Sequence, residues 1–148
     1  MLANGARLYY KRKSGTPSAY TELAGLKELP EIGVDPEKVE NTCLTDSVKQ
    51  YENGIGDPGD MTYKFKYQNK SASDSFRVLR FLELHNETAS FKETMADGTT
   101  IEFDAQVATK ISGGGVNAAM EFDAAMSLQS NLTITPGPTG ATGETAPV

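Results

Sequence analysis

Three stretches of this chain alternate apolar and polar residues with a period of two. Met61, Tyr63, Phe65 and Tyr67 are apolar, while Thr62, Lys64 and Lys66 between them are polar. Ile101, Phe103, Ala105 and Val107 alternate with Glu102, Asp104 and Gln106. Met120, Phe122, Ala124, Met126 and Leu128 alternate with Glu121, Asp123, Ser127 and Gln129. Successive side chains of a strand point to opposite faces, so each stretch predicts a half-buried strand with one face on a core. Asp97-Gly98 supplies the positive φ of a tight hairpin, which predicts antiparallel pairing of Thr88–Met95 with the Ile101 strand. Gly113-Gly114-Gly115 reads as a loop between the Ile101 and Met120 strands. Ala6–Lys11 is expected to form a short strand and Ala19–Glu28 two more. Val34–Leu44 fits either a helix opening at Pro36 or a strand favoured by Val39, Thr42 and Cys43.

One segment has the helical period instead. Ser71-Ala-Ser-Asp74 fits a capping box, and Asp74 suits the positive end of a helix dipole. Val78, Leu79, Phe81, Leu82 and His85 then share a broad apolar face, with Arg77, Arg80 and Glu83 on the other. The expected fold class is mainly β, an antiparallel β-sandwich or barrel with one packed α-helix.

Thr45–Asp60 has neither period. It is roughly fifteen residues long, more than compact domains keep as plain loop unless it is functional or disordered. Tyr51 and Ile55 are apolar side chains with no local core awaiting them, and Asp57-Pro58-Gly59 suits a turn. At Pro136 the composition changes to three Gly-x-Thr triplets, beginning at Gly137, Gly140 and Gly143. Three are too few for a triple helix. The expected division is a folded domain over residues 1–135 and a flexible tail over 136–148.

Composition narrows the function. A chain of 148 residues, 38% hydrophobic and 23% charged, can bury one core. The formal charge of −6 speaks against an overall grip on nucleic acid. It is unevenly spread: Arg7, Lys11, Arg12 and Lys13 open the chain without an acid, whereas Phe81–Val148 has two lysines against nine acids. These ends are expected to be solvated or to pair across a subunit interface. No apolar run is long enough to span a membrane, and the basic N-terminus lacks the apolar stretch of a signal peptide. Cys43 is the sole cysteine, which excludes an intrachain disulfide and fits a reducing compartment. Asn131-Leu-Thr then matches a glycosylation acceptor by chance.

Enzyme chemistry finds little to build on. His85, the only histidine, falls near the end of the helix, where the dipole attracts it. Cys43 has no neighbouring His and no Cys-x-x-Cys spacing. Glu102/Asp104 and Glu121/Asp123 are spaced two apart on strands, which lines each pair along one face instead of converging it for acid/base work. No cofactor and no metal are expected. As a surface, such acids form a wall that repels a polyanion.

The segment LKELPEIGVDPEKVENTCLTDSVKQYENGIGDPGDMTYKFKY, Leu26–Tyr67, resembles the tail tube (major tail) proteins of long-tailed, non-contractile, lambda-like bacteriophages. The similarity lies in the order of a Leu-Lys-Glu-Leu strand, a strand-like Glu37–Leu44 ending in Thr45-Asp46, the long loop with its Gly54-to-Asp60 close, an alternating strand and one helix. The resemblance implies a small β-sandwich shared with type VI secretion tubes. It also implies hexameric rings stacked into a tube through which double-stranded DNA passes without specific binding. Partners implied with it are a tape measure protein and tail terminator or tip proteins, with no membrane anchoring. The place implied is the virion tail, after assembly in the host cytoplasm. The loop Leu44–Gly59 is then expected to contact a neighbouring subunit through Asp46, Val48, Lys49, Tyr51, Ile55, Asp57 and Pro58. Its order is expected to arise on assembly. Glu102, Asp104, Glu121 and Asp123 are candidates for the lumen, and Arg7, Lys11, Arg12 and Lys13 for a basic contact. The alternatives are a monomeric β-barrel binding a small ligand or carbohydrate, or another ring-forming phage or secretion structural protein.

Overall fold

The computed structural model describes residues 2–33, 35–57 and 61–137. Val34, Pro58, Gly59, Asp60 and the Gly-x-Thr tail beyond Gly137 lie outside the described residues, and with them the expected Asp57-Pro58-Gly59 turn. Ten strands and one helix follow in order: β1 Arg7–Arg12, β2 Thr21–Glu22, β3 Leu26–Glu28, β4 Asp35–Glu40, β5 Tyr51–Asp57, β6 Met61–Lys66, α1 Ser75–Leu84, β7 Ala89–Thr94, β8 Thr100–Ile111, β9 Glu121–Leu128 and β10 Thr133–Thr135.

Eight of the strands form one antiparallel sheet, in the order β2-β1-β7-β8-β9-β6-β3, with β10 continuing beside β8 where β9 ends. The sheet curls, and its two edges are joined by one short stretch of chain. Thr21 and Glu22 pair with β1, and Leu26 pairs with Phe65 of β6. Between them the Leu23 N–H donates to Leu8 O at 2.8 Å, and Lys66 N–H donates to Gly25 O at 2.7 Å. Gly25 has φ +86°, a conformation that lets the strap cross from one edge to the other without a Cβ penalty. The result is a half-barrel closed by its own connection.

The period-two residues face inward. Met61, Tyr63, Phe65, Phe91, Ile101, Phe103, Ala105, Phe122, Ala124 and Met126 are all buried. Phe65 and Phe122 stack at 5.2 Å, and the Phe76 ring from the helix meets Phe122 edge-on, also at 5.2 Å. The Asp97-Gly98 hairpin forms as expected. Gly98 takes φ +93°, and the Asp97 carboxylate accepts the Thr99 N–H at 3.0 Å. Met120 departs from its assignment: β9 starts at Glu121, and Met120 is half exposed at the end of the Gly-rich loop.

The helix departs from expectation twice. Asp74 is its N-cap residue, but its carboxylate does not cap the helix. It turns back to accept Lys70 N–H at 2.7 Å and Ser71 N–H at 3.0 Å, closing the preceding turn instead of a capping box. The buried stripe is also narrower than the sequence suggests, holding Ser75, Leu79 and Leu82. Phe81 and His85 stay outside it. Helix α1 has ten residues and rests on a single wall of the half-barrel, so one turn-spaced row suffices to seat it. Glu83 pins that row, accepting Thr109 N–H at 2.6 Å from β8.

The overlong loop is a correction. Tyr51–Asp57 is a strand, paired antiparallel with β4 in a separate two-stranded sheet, so the choice between helix and strand opened at Val34–Leu44 resolves to a strand over Asp35–Glu40. The ribbon projects as an arm between β3 and β6.

Candidate assembly surfaces

The outward face of the main sheet gathers charge of both signs. Cross-strand register places Lys92 opposite Glu102, Lys110 opposite Asp123, Lys64 opposite Asp123 and Lys66 opposite Glu121. Asp104 accepts Lys13 Nζ at 2.7 Å and Ser90 Oγ at 2.7 Å. Burial pushes the Asp104 carboxyl up, but these two donors outweigh it and hold the group below the usual carboxylate range. Glu121 is held low by Lys27, whose Nζ donates at 2.6 Å, with Lys64 at 3.7 Å adding to it. The four candidate acids therefore share one face, as their spacing predicts, but cationic strands are interleaved with them. Half-exposed ion pairs contribute about 0–1 kcal/mol each, so this pattern shapes surface potential more than stability.

The basic N-terminus pairs within its own chain. Arg7 lies 3.4 Å from Glu22, Arg12 2.8 Å from Glu87, and Lys13 reaches Asp104. Lys11 sits over the Tyr20 ring at 4.7 Å, and Lys92 covers the same ring at 4.7 Å and Tyr9 at 5.3 Å.

The arm is the opposite kind of surface. Every side chain from Lys38 to Glu52 is exposed. That run includes Val39, Leu44, Val48 and Tyr51, which are 52%, 107%, 68% and 55% accessible. Its tip is tied locally: Asp46 Oδ2 accepts Cys43 N–H at 2.8 Å, and Thr42 Oγ1 accepts Gln50 N–H at 2.9 Å. Asp46, Val48 and Lys49 thus lie at the tip, and Tyr51, Ile55 and Asp57 on β5. A lone two-stranded ribbon is marginally stable in water, and an exposed apolar row on it calls for a covering surface.

Two features escaped the sequence reading. A groove of about 440 Å³ runs between α1 and β1, lined by Tyr10, Arg12, Arg77, Arg80, Phe81 and Leu84 among others. Arg12 covers the Phe81 ring at 5.1 Å, and the His85 ring lies tilted against it, with centroids 4.2 Å apart. Phe81 and Leu84 are three apart and off the buried stripe, which is the signal that could have found it. The second is Glu93, fully buried on the inward parity of Ala89 and Phe91. Its oxygens and the Tyr63 hydroxyl perturb one another but lack a hydrogen bond of good geometry among the described residues. Burial raises the Glu93 carboxyl above its usual range, despite the opposing influence of Tyr63, and raises Tyr63 as well.

The family model described as phage tail tube, TTP, lambda-like, matches residues 1–135. The chain belongs to this tail tube family. Family membership makes it a structural, non-enzymatic protein of the phage tail. Among curated proteins, none matches its sequence. Among solved structures, a chain of the anti-feeding prophage baseplate, six-fold symmetrised, shares the fold with a TM-score of 0.70 at 9% identity, over 90% of this chain and 94% of that one. A chain from the tail of an empty gene transfer agent particle, refined with C6 symmetry, aligns with a TM-score of 0.65 at 17% identity, over 88% and 96%. One from the virion of the native gene transfer agent aligns with 0.63 at 17%, over 87% and 95%. Each likeness is one of fold.

Proposed function

We propose that this tail tube protein polymerises as stacked hexameric rings, forming the conduit through which the phage genome leaves. The observation that carries the reading is the arm, a run of fifteen exposed side chains from Lys38 to Glu52 that no other described residue covers. The sixfold symmetry of the tail and baseplate neighbours supports the ring number. Closing a ring also buries the remaining strand edges beside the short β2 and β3, an association hazard in a lone subunit. The arm reaches a neighbour in the same ring or the next through Asp46, Val48, Lys49, Tyr51, Ile55, Asp57 and Pro58. Arg7, Lys11, Arg12 and Lys13 flank that assembly as a basic strip.

Glu102, Asp104, Glu121 and Asp123 face the lumen in this reading, where DNA passes without specific binding. A tape measure protein inside, terminator and tip proteins at the ends, and assembly in the host cytoplasm complete it. Residues 1–135 make the tube domain, with 136–148 as its tail. Electron microscopy of concentrated protein tests the proposal: hollow tubes with a sixfold projection are expected, and a particle that stays monomeric at every concentration and in the virion would sink it.

A further inference from the structure

We infer that the arginine-rimmed groove beside α1 is the receptor for the arm of a neighbouring copy. The inference rests on the reading that copies of this chain assemble. The two surfaces complement each other in charge. Residues 35–57 carry six acids and two lysines. The groove presents Arg12, Arg77 and Arg80. Arg12 and Arg80 are shared with Glu87 and Glu83, but Arg77 donates only to Asn69 and has no carboxylate among the described residues.

The surfaces also match in apolar character. Phe81 and Leu84 on the groove are 40% and 63% exposed, and on the arm Leu44, Val48 and Tyr51 are all more than half exposed. The acids lie close by: Asp46 falls between Leu44 and Val48, and Glu40 pairs with Tyr51 across the ribbon. An aromatic and aliphatic floor with an arginine rim is the composition of an interface centre, and planar guanidinium groups suit carboxylates.

Geometry makes the contact intermolecular. None of the residues lining the groove belongs to the arm. The arm leaves the body between β3 and β6, whereas the groove lies between α1 and β1, and the arm strands β4 and β5 pair with each other and with no strand of the main sheet. At about 3.3 Å per residue, a ribbon of this length reaches roughly 30 Å. That is about twice the radius of gyration expected for a domain of this size, near 14 Å. Arm and groove are different patches, so the contact is head-to-tail and propagates from copy to copy.

Cys43, exposed at the arm tip and the sole cysteine, supplies the test. In the full-length chain with Leu84→Cys, mild oxidation of assembled protein should link Cys43 to the introduced thiol of another copy. Peptide mass spectrometry would identify that linkage, and gels would show a ladder beyond the dimer. The unmodified chain has one thiol and stops at dimers. Separately, Arg77→Glu should raise the concentration needed for assembly by about tenfold or more, the scale of losing one close charge pair at an interface. Adding Glu40→Arg and Glu52→Arg should recover part of that loss. Circular dichroism of the Arg77→Glu monomer should match the parent, because Arg77 is exposed. Tubes that form while Cys43 links only to another Cys43, or to no thiol at all, would overturn this inference and leave the tube reading intact. A parent chain that forms no rings or tubes at all would overturn both.

Discussion

The body and the arm of this protein are built from the same kind of strand pairing, yet they obey opposite rules. In the body, the apolar residues at inward positions of β6, β8 and β9 are buried or partly buried, with Ile111 at the far end of β8 the exception, and the aromatic rings interlock. In the arm, strands β4 and β5 also pair antiparallel, with a register shift between Pro36 and Lys38, and every side chain from Lys38 to Glu52 is exposed. A strand with one buried face must alternate; a ribbon exposed on both faces has no reason to. The difference teaches that alternation measures contact with a core, and that strand structure can exist without it. It also separates two kinds of importance. The body holds itself together, while the arm leaves its side chains from Lys38 to Glu52 exposed.

That contrast can be broken at several points. Phe122→Ala should unfold the body most severely, by about 3–5 kcal/mol in chemical denaturation, because Phe122 is fully buried between Phe65 and Phe76. Gly98→Ala should cost about 1–2 kcal/mol through its positive φ alone, read as a lower midpoint with unchanged slope. Glu93→Gln should act in the other direction, stabilising the body at neutral pH by about 1 kcal/mol. The sign follows from its raised carboxyl: the folded protein holds that proton where the unfolded chain releases it. The parent should therefore lose stability as pH rises above the usual carboxylate value, and the variant should lack that slope. Asp104 works oppositely, since its lowered carboxyl adds stability above the usual value that is lost as pH falls.

The smallest stability effect is expected in the arm. Replacing residues 38–53 by an Asn-Gly turn should change the denaturation midpoint by less than about 0.5 kcal/mol, as for surface changes generally. The same replacement should abolish tubes in electron microscopy. A large loss of stability would mean that the arm belongs to the core after all.

Most of the body was legible because its strands lie on a core and because Asp97-Gly98 has turn chemistry of its own. The family resemblance was legible for a different reason, the order of elements around Leu26–Tyr67, and the match over residues 1–135 bears it out. Strand β5 was not legible: Tyr51-Glu-Asn-Gly-Ile-Gly-Asp has two glycines and no alternation, the composition of a loop. The groove was not legible either, since Phe81 counts as a core residue until the narrow stripe of α1 is known. The acids were placed correctly on one face by their spacing. Their cations were invisible, because Lys13, Lys27, Lys64 and Lys92 come from four distant parts of the chain.

Those interleaved cations have a consequence for how far the outer sheet face can be felt. A fixed charge beside its opposite makes a dipole, and a row of dipoles of alternating sense cancels at distances beyond their own spacing. Screening by salt acts on a longer scale, about 8 Å at physiological ionic strength. The field of this face therefore dies before ions in solution can trim it. A long polyelectrolyte moving along such a wall meets small, closely spaced attractions and repulsions that average out over each turn of its helix. The friction it feels should depend little on salt, unlike that of a wall carrying acids alone.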